Sequence, residues 1–164
     1  TPLYSSAASD VYKRQMIEIG GEIVTKGINQ KQQPWHIGVN KPTEDSLNTN
    51  QELQTVLNVT DIAMATSGNY RNFYYKNGKK YAHTIDPKTG YPVQHSLLSA
   101  TVLAKNCATA DAYATSFMVM GLEKAKEILR QHSELMAYLI YTNDDGKTEV
   151  WYSPSLKEKI LGDS

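Results

Sequence analysis

Short apolar or alternating runs of strand length recur along this chain, and the pattern lengthens to a helical period in one stretch, residues 109–132. Residues 16–26 (MIEIGGEIVTK) are rich in β-branched side chains, and Gly20-Gly21 inside them predicts a strand with a bulge or a close backbone approach. Trp35–Asn40 (WHIGVN) alternates as a second strand closed by Pro42. Leu53–Val59 and residues 61–65 predict two short strands. Residues 70–83 (YRNFYYKNGKKYAH) predict a hairpin around Asn77-Gly78, a strong short-range turn signal. Leu97–Ala104 (LLSATVLA) reads as a buried strand.

The helical pattern resolves into a pair. Residues 109–120 place Ala, Phe and Met at helical spacing, and Gly121 stops them. Residues 122–132 (LEKAKEILRQH) put Leu122, Ala125, Ile128 and Leu129 on one face and charges on the other. Residues 136–141 and Thr148–Tyr152 flank the turn Asn143-Asp144-Asp145-Gly146 as a last hairpin, and residues 155–161 predict a short terminal helix. Strands, a helix pair, then strands imply an α+β fold with a mostly antiparallel sheet.

Composition narrows the function classes. The chain has 164 residues, 40% hydrophobic and 21% charged, which is the range of an ordinary globular domain. Its 17 basic and 17 acidic residues cancel. That balance offers no electrostatic footprint for nucleic acid or an anionic membrane surface. No apolar run is long enough to cross a bilayer. The single cysteine, Cys107, excludes an internal disulfide and a cysteine-based zinc cluster. Residues 1–15 (TPLYSSAASDVYKRQ) have neither periodicity, lack the apolar core of a signal peptide, and read as a non-native, adapter-derived segment. The structured portion is then 16–164, with native chain and any targeting signal lost upstream.

Three segments offer chemistry. In Thr66-Ser67-Gly68-Asn69-Tyr70, small hydroxyl residues beside Gly let backbone N–H groups approach a phosphate or flavin edge, although the same residues also make an ordinary turn. In residues 83–92 (HTIDPKTGYP), a tight turn through Asp86-Pro87 and Gly90 holds His83 at a strand end. From there an imidazole can remove a hydroxyl proton; a polar strand end before a structural turn looks the same in sequence. In residues 108–115 (ATADAYAT), Asp111 and Thr115 lie four apart on one helix face and offer a carboxylate and a hydroxyl to Mg²⁺, a cation that prefers oxygen. Against this, Thr109 as N-cap with Asp111 in the first turn needs no metal. Two side chains also leave the ligand set incomplete.

Five segments in order, IEIGGEIVTKG at 17–27, PWHIGVNKP at 34–42, TSGNYRNFY at 66–74, HTIDPKTGYPV at 83–93 and ATADAYATSFMVMG at 108–121, resemble the ApbE family, the FAD:protein FMN transferases. The resemblance covers nearly everything after residue 15 and implies a T-fold-related domain, of which this chain is the C-terminal portion. It implies His83 as the histidine needed for transfer and Asp111 and Thr115 as side-chain ligands of Mg²⁺. Ser67, Gly68, His83 and Ile85 fall in the segments that line the flavin and pyrophosphate site. An N-terminal half would supply further FAD contacts and a carbonyl ligand for the metal. The implied reaction moves FMN from FAD onto a Thr or Ser hydroxyl of an acceptor flavoprotein and releases AMP. The resemblance places the parent protein in the bacterial periplasm or on the outer face of the cytoplasmic membrane, with membrane contact only through a lost N-terminal lipid anchor. Two alternatives share these residues: a Mg²⁺-dependent FAD pyrophosphatase giving FMN and AMP, and a non-catalytic flavin-binding or carrier protein. The presence of both Asp111 and His83 favours catalysis.

Overall fold

The computed structural model describes residues 13–42, 52–69, 73–76, 79–82 and 84–161. His83 and the Asn77-Gly78 turn lie outside the described residues. The strands are β1 (Gln15–Ile19), β2 (Glu22–Lys26), β3 (Trp35–Asn40), β4 (Leu53–Val59), β5 (Ala63–Gly68), β6 (Phe73–Lys76), β7 (Lys79–Ala82) and β8 (Leu97–Ala104). Then come helices α1 (Cys107–Met120) and α2 (Leu122–Gln131), strands β9 (Met136–Thr142) and β10 (Thr148–Tyr152), a 3₁₀ turn at Pro154–Lys159 and the short strand β11 (Ile160–Leu161).

A six-stranded sheet in the order β1-β2-β5-β8-β9-β10 is antiparallel throughout. A second antiparallel sheet has the order β11-β4-β3, and β6 pairs with β7. The α+β class expected from the pattern is the class observed. Side chains alternate across the large sheet, as the two-residue period requires. Ala65, Ala100, Val102, Ala104, Ala137 and Leu139 pack with the helices around Phe117, Met118, Leu122 and Leu129. Met64, Leu103, Tyr138 and Ile140 pack with Ile37, Val39, Leu57 and Val59 of the small sheet, and Leu156 joins them. The large sheet is thus sandwiched, which explains why β8 is buried almost along its whole length.

Three local expectations need correction. Residues 16–26 are a hairpin and not one bulged strand: Gly20 and Gly21 have φ of 66° and 102°, a pair that closes a two-residue turn in the primed hand favoured by twisted strands. The terminal segment is a 3₁₀ turn followed by β11, because Pro154 starts it and Leu156 must reach the core. Ser67 and Gly68 are the last residues of β5, paired with Ala100 and Ser99 of β8, and not a free turn.

Candidate functional site

The site is set by how closely α1 lies on the sheet. Ala110 and Ala114 are fully buried against a surface in which Ala65, Ala100 and Ala104 are also small and buried. Small side chains on both partners bring helix and strand backbones together. Ser67, two residues beyond Ala65, points to the same face, and its Oγ lies 2.9 Å from Thr115 Oγ1 on α1. Two of the residues expected at the site are therefore in direct hydrogen-bond contact, although they are 48 positions apart in the chain. On the opposite face, Thr66 Oγ1 lies 2.9 Å from Thr101 Oγ1 and ties the same strand end to β8.

Asp111 is exposed one turn before Thr115. The helix begins earlier than its apolar pattern suggests: Asn106 is the N-cap, with Oδ1 accepting from Thr109 N–H at 2.8 Å, and no acidic residue occupies the first turn. The capping role weighed for Thr109 and Asp111 is thus corrected, since Asn106 already satisfies the helix start. Among the described residues the Asp111 carboxylate has no hydrogen-bonding partner. Its charge reaches the helix start: the Cys107 thiol is pushed above its usual pKa first by burial, then by the carboxylates of Glu22 and Asp111.

The loop after residue 83 is organised by Asp86. Its Oδ1 accepts from Lys88 N–H at 2.9 Å and its Oδ2 from the Thr89 hydroxyl at 3.3 Å, while Gly90 N–H donates to Asp86 O at 2.8 Å. Ile85 bridges to Pro92 and is 46% exposed. This loop, α1 and the start of α2 border an open cleft of about 400 Å³ lined by Asp86, Pro87, Lys88, Thr115, Ser116, Val119, Met120 and Lys124. Thr115 lines it; Asp111, Ile85, Ser67 and Gly68 do not, Ser67 touching it only through Thr115. Downstream, His95 Nε2–H donates to Met118 O at 2.7 Å and Nδ1 accepts from Leu97 N–H at 3.2 Å. That fixes one neutral tautomer and clips the loop's exit to the end of α1. Gly121, with φ of 81°, ends α1 where a Cβ would meet the His95 ring at 3.3 Å. Sequence patterns gave no sign of Lys124 or His95, one on a helix face that reads as solvated and the other in a loop without periodicity.

Asp111 and Thr115 present hard oxygens only, exposed and one turn apart, a donor set that fits Mg²⁺. Among the described residues no three His, Cys, Asp or Glu side chains cluster as a metal site.

The model of the ApbE family matches residues 5–140. This chain belongs to the ApbE family. Among curated relatives, the FAD:protein FMN transferase of Haemophilus influenzae is 45% identical over 131 residues, covering 80% of this chain and 37% of the relative. That of Escherichia coli K12 is 37% identical over 150 residues, covering 92% of this chain and 41% of the relative. Among solved structures, the flavin transferase ApbE from Vibrio cholerae superposes with a TM-score of 0.74 at 35% identity, over 96% of this chain and 48% of that one. The ApbE protein of Thermotoga maritima superposes with a TM-score of 0.71 at 27% identity, over 96% of this chain and 48% of that one. The chain spans about two fifths of the length of these curated relatives.

Proposed function

We propose that this chain forms part of a Mg²⁺-dependent enzyme that transfers FMN from FAD to a Thr or Ser hydroxyl of an acceptor flavoprotein and releases AMP. The observation that carries the reading is the 2.9 Å contact between Ser67 and Thr115, which draws the TSGN strand end and the ATADAYAT helix together beside the cleft under the DPKTG loop. The relatives' shared name, FAD:protein FMN transferase, supports the same reaction.

In this mechanism Asp111 and Thr115 would hold the metal, and Ser67 fixes the Thr115 hydroxyl by their shared hydrogen bond. When bound, Mg²⁺ supplies charge neutralisation at the diphosphate. The acceptor oxygen forms a bond to the FMN-side phosphorus, the bond to the AMP oxygen breaks with its electron pair leaving on AMP, and the hydroxyl proton passes to the His83 imidazole. His83 takes this role from its place in the HTIDPKTGYPV segment. The chemistry asks for positioning and charge balance more than covalent catalysis by the protein. Ser67, Gly68 and Ile85 would line the flavin and pyrophosphate. The setting proposed for the reaction is the bacterial periplasm or the outer face of the cytoplasmic membrane.

The test incubates the protein with FAD, Mg²⁺ and an acceptor flavoprotein and follows covalent flavin on the acceptor. His83→Ala should lower transfer by about 10²–10⁴-fold, the contribution of a positioned general base, while FAD stays bound. Asp111→Ala should raise the Mg²⁺ concentration needed. Transfer unchanged in both variants removes the assignment, and flavin appearing only as free FMN makes water the acceptor.

A further inference from the structure

Resting on the flavin-transfer reading and going beyond it, we propose that Lys88 and Lys124 are the anion-holding side chains of the cleft and take the phosphate end of the departing nucleoside monophosphate. They arrive from different elements, Lys88 from the loop over residues 84–92 and Lys124 from the third residue of α2, and line the same 400 Å³ cleft as the Thr115 and Ser116 hydroxyls. Among the described residues neither ammonium group has an ion-pair or hydrogen-bond partner. The neighbouring lysine on α2 is committed: Lys126 pairs with Glu123 at 3.0 Å and lies over Tyr141 and Trp151. Glu123, the acid beside Lys124 in sequence, is therefore engaged elsewhere.

The one carboxylate that lines the cleft does not answer them. Both oxygens of Asp86 accept hydrogen bonds within their own loop, from Lys88 N–H and the Thr89 hydroxyl. Two ammonium groups thus stand against one carboxylate already engaged. Pro87, Val119 and Met120 form the apolar part of the wall, and low-dielectric walls focus the field of the remaining charge. Cations with hydroxyl donors and no free acid between them match the oxygens of a phosphate. In the proposed reaction the bond between the two phosphates breaks and its electron pair stays on the AMP oxygen. Fixed positive charge facing that oxygen stabilises the group as it leaves and retains it afterwards.

Binding of inorganic pyrophosphate, AMP and FAD to this chain is measured by titration calorimetry in the wild type, Lys88→Gln, Lys124→Gln, the double variant and the distant surface control Lys157→Gln. Each single substitution should weaken pyrophosphate about fivefold and the pair about 25-fold, the worth of one and two partly screened charge contacts. AMP should compete with pyrophosphate, and the control should match the wild type. Equal pyrophosphate affinity in the double variant and the wild type overturns the proposal, as does a wild type that binds no pyrophosphate. The FAD arm separates this inference from the reading beneath it. Pyrophosphate and FAD affinities that both survive in the double variant remove the lysines and leave flavin transfer standing. Lysine-dependent pyrophosphate binding that FAD does not compete with keeps the lysines and removes the flavin from this cleft.

Discussion

Ala65, Ala100, Ala104 and Ala137 point from the central strands toward the two helices, whereas Met64, Leu103, Tyr138 and Ile140 on the same strands point toward β3 and β4. The second face is filled by branched and aromatic side chains, the usual way to bury apolar area and hold two layers together. The first face gives up part of that gain by using alanine. In exchange, α1 approaches near enough for a serine on a strand and a threonine on a helix to touch. Large residues pack both sides of the sheet, with Val102 and Leu139 among them on the helix side, but only there do alanines at Ala65, Ala100 and Ala104 set the spacing of the candidate site.

Substitutions on each face test that division. The largest expected effect on stability belongs to Leu57→Ala on the small-sheet side, where the side chain is fully buried. Chemical denaturation should register a loss of about 2–5 kcal/mol from the cavity, with pyrophosphate affinity retained under folding conditions. If affinity falls as well, the two faces are not separate. Ala114→Leu on the helix side should cost about 1–3 kcal/mol by overpacking. It should also abolish transfer, because α1 moves off β5 and Ser67 loses Thr115; a stable variant with normal transfer would show that the spacing does not matter. Asn106→Ala should cost about 1 kcal/mol through its lost cap and leave the cleft's affinity unchanged.

The smallest effect concerns pH, far from either face's centre. The Glu149 carboxyl is held below its usual pKa by the Tyr141 hydroxyl at 2.8 Å first and by the Asn143 amide second. A carboxyl whose pKa is lowered on folding adds stability above its ordinary pKa, near 4.5, and loses it as pH falls through the lowered value. Thermal unfolding of Tyr141→Phe should therefore lie slightly below that of the wild type at neutral pH and converge with it in acid. A gap that widens in acid has the wrong sign.

Periodicity made the strands, the helix pair and the antiparallel class legible, because one buried face leaves a direct trace in the sequence. Boundaries were harder. Gly20-Gly21 reads as a bulge or a close backbone approach within one strand until pairing of Ile17 with Val24 shows a turn. Asn106 hides the helix start because a cap carries no apolar signal. The shared helix face of Asp111 and Thr115 was legible through their spacing, while their role as metal ligands came only from the resemblance to the ApbE family. The connection of Thr115 to Ser67 was not legible, since a contact across 48 positions depends on the alanine packing that brings β5 under α1. Lys124 was invisible for a related reason: an exposed cation on an amphipathic helix looks solvated until the fold sets it beside a loop distant in sequence.

The account stands most directly on the hydroxyl at position 115. Val replaces Thr there with nearly the same volume and no oxygen, so covalent FMN transfer titrated with Mg²⁺ reads the loss of that oxygen together with its contact to Ser67. The Thr115→Val curve should shift to higher Mg²⁺ by about tenfold or more, as when a metal site loses an oriented ligand. Superimposable curves for Thr115→Val and the wild type would contradict it.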